Sequence, residues 1–168
     1  MYGPVKDHQQ LIKAFAEIAK NDPDVICVVV GDGSLRGSLT SQVRSLHLGE
    51  RMLFVGKRPH DEIPLWMNAC DVFALPSLME GNPTVMFECL GCGKPFVGTR
   101  VGGVPEVITS EDYGLLCQPG DPQDLAEKIA MALDRKWDSQ SIIAYSGQFT
   151  WENISTQIME VYRSVLHR

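Results

Sequence analysis

Hydrophobic positions recur along this chain with two periods, and the switches between them lay out its elements. Within residues 11–20, Leu11, Ile12, Phe15, Ile18 and Ala19 share one helical face, and Asn21-Asp22-Pro23 stops the pattern. Residues 25–30 form a largely β-branched run ending in Gly31-Asp32-Gly33, as expected of a parallel strand buried on both faces. A helix is predicted over 34–48, with Ser34 as its cap and Gly49 as its end, followed by a short strand over 52–56. Further helices are predicted over 60–70, 83–91, 122–133 and 151–166, with a short helical turn over 104–108. Strands are predicted over 71–76, 95–99 and 114–118, and a polar stretch over 138–141 precedes the closing helix. Trp66 and Met67 on the helix over 60–70 read as core.

Strands alternating with helices at this rhythm specify an α/β fold, a Rossmann-like doubly wound parallel sheet. Such sheets bind ligands beyond the carboxyl ends of their strands, where the strand order reverses. Four loops lie in that position: Gly31-Asp32-Gly33, Lys57-Arg58, residues 77–82 and residues 100–103. With 168 residues the chain is read as one domain, 1–168.

A formal charge of −6 and scattered basic residues argue against a nucleic-acid partner, which is held by clustered Lys and Arg. No apolar run approaches the roughly 18 residues of a membrane span, and no signal-peptide segment opens the chain, so a cytoplasmic location is expected. The five cysteines are odd in number and four lie in apolar segments, which favours reduced thiols over a disulfide framework. Cys89-Leu90-Gly91-Cys92 is formally a C-x-x-C, but no second pair completes a zinc set, and core packing is the plainer reading. His8, His47, His60 and His167 lack metal-ligand spacing and read as surface residues.

The most informative segment runs from Pro76 to Pro95 and carries Glu80 and Glu88 with seven residues between them. Asn82 is a plausible N-cap and Pro83 suits the first helical position, where its missing N–H costs nothing. The N–H groups of Thr84, Val85 and Met86 would then leave the helix end with partial positive charge, a site for phosphate. Two carboxylates flanking an anion site suit a ligand with hydroxyls on both sides of its phosphates, as a nucleotide sugar has. For two isolated glutamates the plainer alternative is a solvated loop residue and an acid favoured by the helix dipole. Gly31-Asp32-Gly33 resembles the start of a dinucleotide fingerprint, but Arg36 stands where a third glycine belongs, and helix-start geometry explains it better. Gly102-Gly103 reads as a turn beside the ligand crevice, and Glu106 as a helix-start acid.

This segment resembles the signature of glycosyltransferase family 4, Pro-Ser-x-x-Glu-Gly-x-Pro-x-x-x-x-Glu-Ala-x-Ala-x-Gly-x-Pro. The matching residues are Pro76, Ser77, Glu80, Gly81, Pro83, Glu88, Gly93 and Pro95, with Cys89 and Gly91 in place of the small alanines. Gly31-Asp32-Gly33, Val55-Gly56, Gly102 to Ile108, Gly114-Leu115-Leu116 and Trp151-Glu152 match in the same order. The resemblance implies the C-terminal, donor-binding half of a retaining GT-B glycosyltransferase of the hexosyltransferase type, using a UDP-, GDP- or ADP-activated sugar without a metal. Glu80, the expected catalytic residue, would lie beside the donor sugar, whose hydroxyls also meet the amides of Gly81 and Asn82, with no cofactor besides the donor. Glu88 would hold the ribose, the Thr84 and Val85 amides and Lys6 the diphosphate, and Lys57 and Arg58 would face the nucleobase.

In that family an arginine on the domain's first strand precedes the lysine by five positions, and counting back from Lys6 lands on Met1. The first strand and the N-terminal acceptor domain are therefore expected to be missing, and residues 1–168 alone to transfer negligibly. In the strand order 3-2-1-4-5-6 that strand is central, so the gap is expected to close by rearranged pairing, by residues 1–5 or by a second copy of the chain. The expected partners are a nucleotide-diphosphate sugar, the acceptor domain and, through the sheet, another copy; the full-length enzyme is expected in the cytoplasm or peripherally at a membrane. Two alternatives stand beside this reading: a non-catalytic nucleotide-binding or self-assembling module, and a GT-B sugar-nucleotide epimerase.

Overall fold

A computed structural model describes residues 4–166; residues 1–3 and 167–168, His167 among them, lie outside the described part. In chain order the elements are α1 (His8–Asn21), β1 (Cys27–Val30), α2 (Arg36–Ser45), β2 (Met52–Gly56), α3 (Ile63–Ala69), β3 (Phe73–Leu75), α4 (Thr84–Gly91), β4 (Phe96–Thr99), α5 (Val104–Val107), β5 (Gly114–Cys117), α6 (Pro122–Asp134), α7 (Ser139–Ser146) and α8 (Trp151–Leu166). All strand pairs are parallel, but β1 is not buried on both faces as expected: Val29 enters the core while Val28 is exposed. In β4 and β5 every residue is buried. Their alternating side chains divide between two cores. Val97, Leu115 and Cys117 join α1, α2 and α6 on one face, and Phe96 and Leu116 join α4, α5 and α7 on the other.

The strands form two sheets, β1-β2 and β3-β4-β5. The expected rearranged pairing between β1 and β3 is not found among the described residues. Helix α1 spans the break instead: Leu11, Ile12, Ala14, Phe15 and Ile18 share a core with Val29 of β1 and with Val97 and Leu115. Burying one apolar helix face against both sheets joins them without a strand ladder. Buried Gln10 also reaches the loop before α6, its Oε1 accepting from the Gly120 N–H at 3.1 Å.

Three local expectations are corrected. Helix α2 starts at Arg36 rather than near Ser34, because the Asp32 carboxylate accepts from the Gly33 N–H at 2.7 Å and pairs with Arg36 at 2.8 Å. Its end is made by His47, at φ 57°, not by Gly49, and the Leu48 N–H returns to the Val43 carbonyl at 3.0 Å. The polar stretch after α6 opens α7, with Asp138 accepting from the N–H groups of Gln140 and Ser141. Helix α8 is amphipathic yet buries no described residue.

Candidate functional site

The site is built from the chain that leaves β3. Pro76 and Ser77 are buried, and Thr99 at the end of β4 donates its hydroxyl to the Ser77 carbonyl. The loop then rises into solvent. Its Leu78 N–H donates to the Val5 carbonyl at 2.7 Å, which draws the segment before α1 against it. Asp7, at φ 41°, turns the chain into α1 and caps that helix by accepting from the Gln10 N–H. Lys6 is thereby delivered to the loop, with its Nζ 2.5 Å from Glu80 Oε1.

The turn Gly102-Gly103, between β4 and α5, holds the same loop from the other side. Gly103 N–H donates to the Gly81 carbonyl at 2.7 Å. Gly102 has φ 51° and stands against the Glu80 carbonyl, with no room for a side chain. The glycine pair legible in the sequence as a crevice turn thus fixes the backbone that carries Glu80. The parts played by Val5 and Thr99 left no signal in the sequence, since each acts through a single contact to a distant backbone group.

Helix α4 begins at Thr84, with Pro83 in the cap position and no side chain capping it; Asn82 is exposed and does not serve as the N-cap expected from the sequence. Pro83 has no hydroxyl, amide or carboxylate to offer, so the N–H groups of Thr84 and Val85 lack a side-chain partner and carry the positive end of the helix. Met86 N–H is satisfied by the Pro83 carbonyl at 3.1 Å. Glu88, one turn on, is half-buried, and its carboxylate makes no hydrogen bond or ion pair among the described residues.

Glu80, Gly81, Asn82, Thr84, Val85 and Glu88 therefore lie on one loop and the helix it starts, and Lys6 joins them through its ion pair with Glu80. Lys57 and Arg58 stand apart, past the carboxyl end of β2, with no hydrogen bond or ion pair to that group. The Arg58 guanidinium lies 5.4 Å from the centre of the Trp66 ring, and its Nε is buried without a hydrogen-bond partner. Trp66 is half-buried beneath this cation and belongs to neither core, contrary to the expectation; Met67 is in the core.

The remaining sequence features are structural. All five cysteines are free, and burial pushes the Cys89 thiol well above its usual value, so Cys89 and Cys92 pack rather than react. Asp32 is held below the ordinary carboxyl range by the Gly33 N–H and Arg36. No group of three or more His, Cys, Asp or Glu among the described residues could hold a metal ion, and no described helix is long and apolar enough to cross a membrane.

This geometry has close relatives. N-acetyl-alpha-D-glucosaminyl L-malate synthase of Bacillus anthracis is 34% identical over 167 residues, which are 96% of this chain and 43% of that protein. The crystal structure of HepE from Anabaena in complex with UDP superposes with a TM-score of 0.83 at 31% identity, covering 96% of this chain and 46% of that one. The same protein in complex with UDP-glucose gives 0.81 at 32% identity, with the same coverage. The chain thus spans somewhat less than half the length of these relatives, at 43% and 46%. Residues 2–150 match the family described as Glycosyl transferases group 1. The chain belongs to the group 1 glycosyl transferases, and its fold is that of one half of a GT-B enzyme.

Proposed function

We propose that this chain is the donor-binding domain of a retaining, metal-independent glycosyltransferase that moves a hexose from a nucleoside-diphosphate sugar to an acceptor. The observation that carries the reading is the uncapped start of α4, flanked by the Lys6–Glu80 pair on one side and by unpaired Glu88 on the other. The Thr84 and Val85 amides hold the diphosphate with Lys6, supplying the positive charge that a divalent cation supplies elsewhere. Glu88 accepts from the ribose hydroxyls. Glu80, with the Gly81 and Asn82 amides, faces the transferred sugar, and Lys57 and Arg58 face the base. The UDP and UDP-glucose complexes of HepE support a uridine nucleotide as the first donor to try.

During transfer the bond between the sugar and the diphosphate breaks, and negative charge grows on the leaving phosphate. Fixed donors aimed at that oxygen lower the barrier without reorganising. The relatives extend well beyond the part this chain matches, which is 43% and 46% of their length, and the remainder of such an enzyme would hold the acceptor, so the chain alone binds donor and transfers negligibly.

Calorimetric titration with UDP, GDP and ADP tests the reading. One of the three should bind, and Glu88→Ala should weaken it on the order of tenfold, the usual effect of losing hydrogen bonds to a charged group. No binding of any nucleotide, with Glu88→Ala unchanged, would defeat the donor site.

A further inference from the structure

We infer that Glu80 and the donor's diphosphate compete for Lys6, so that the site favours a nucleotide still carrying its sugar over the spent nucleotide. The inference rests on the donor-site reading above and adds a property to it. Lys6 Nζ is bound to Glu80 Oε1 at 2.5 Å, and the side chains are 38% and 10% exposed, respectively. The lysine is the mobile partner: its head is partly in solvent on a flexible four-carbon stem. Glu80 is the fixed one, because its backbone is clamped between Gly102 and the Gly81–Gly103 hydrogen bond.

A diphosphate arriving at the α4 start attracts Lys6 away from the carboxylate. Glu80 is then left largely buried without its cation, and an unpaired buried charge is strongly disfavoured. A nucleotide sugar relieves this, since its hydroxyls donate to the carboxylate that Lys6 has left. A nucleoside diphosphate brings no such donors. Glu80 therefore opposes the product and tolerates the substrate. When the sugar departs, Lys6 returns to Glu80 and helps expel the nucleotide, so the pair acts as a device for product release.

The test is a set of titrations of the 168-residue chain and its Glu80→Gln, Glu80→Asp, Lys6→Ala and Lys6→Ala/Glu80→Gln variants with UDP, GDP, ADP, their glucose conjugates and inorganic pyrophosphate. For the nucleotide that the wild type binds, Glu80→Gln is expected to bind the sugar-free form and pyrophosphate about tenfold more tightly, while the sugar conjugate gains nothing. Glu80→Asp keeps the charge but withdraws it by one methylene, and should gain less. In the Lys6→Ala background the gain from Glu80→Gln should disappear, which separates exchange of Lys6 from simple repulsion between carboxylate and phosphate. An undiminished gain without Lys6, or no gain in Glu80→Gln, overturns the exchange and leaves the donor site standing. Failure of every variant to bind any nucleotide or pyrophosphate overturns both.

Discussion

Gly102 lies against the backbone of Glu80 so closely that a Cβ on it would stand 1.9 Å from the Glu80 carbonyl oxygen. The contact joins the β4–α5 turn to the β3–α4 loop, and it is backbone on backbone, so neither side can yield by changing a rotamer. Gly102→Ala adds both this clash and a left-handed φ of 51° that alanine disfavours. The variant is expected to lose more than about 1 kcal/mol of stability. A calorimetric melt should show it as a fall of at least about 2–4 °C. Because Glu80 moves with its loop, nucleotide-sugar binding should weaken in the same variant. Unchanged melting and unchanged binding together would show that the two loops are not coupled.

Tyr145 of α7 stacks on Tyr113, with ring centres 3.6 Å apart and planes within 8°, and donates its hydroxyl to the Val107 carbonyl at 2.5 Å. The contact fastens α7 to the end of α5. Tyr145→Phe keeps the stack and removes the hydroxyl's bond to Val107 and its longer contact with Thr109 at 3.4 Å, so a loss of about 1 kcal/mol is expected in urea unfolding. Tyr145→Leu removes the stack as well and should lose more. Equal losses in the two variants would assign the whole effect to the hydroxyl.

Burial pushes the His8 imidazole below its ordinary value of 6.5; the nearby Lys6 charge acts in the same direction and Asp7 against it. Its Nδ1 is buried without a hydrogen-bond partner. With the folded value depressed, the unfolded chain binds the proton more readily. The stability that comes from keeping His8 neutral is therefore complete above pH 6.5 and is lost as pH falls through the folded value. An NMR titration should place the His8 midpoint below 6.5, and His8→Gln should flatten the decline of stability on the acid side. A midpoint at or above 6.5 contradicts this account.

Much of the site was legible because it lies in one contiguous segment. Glu80, Gly81, Pro83 and Glu88 all fall between Pro76 and Pro95, so their spacing along the chain is their spacing on a loop and the helix after it. Trp66 shows the opposite case. Large aromatic residues on a short amphipathic helix usually enter a core, but here Arg58, from a different loop, lies over the ring and keeps it at the surface. Helix α7 escaped notice because its first residues are polar and, of its eight residues, Ile142 alone is buried. One buried position is too little periodicity to detect.

The element order, the parallel α/β architecture and the acidic pair flanking a helix start follow from the chain's residues read in order, because these depend on local periodicity, turn chemistry and a motif contained in one segment. How the strands divide between two sheets, and that α1 packs on both, emerges in the folded molecule alone, since strand pairing is a matter of long-range packing. The meeting of Lys6 with Glu80 across 74 positions of chain is of the same kind. That meeting depends on the Val5–Leu78 hydrogen bond and on the Gly102 contact, two backbone approaches that no side-chain pattern encodes.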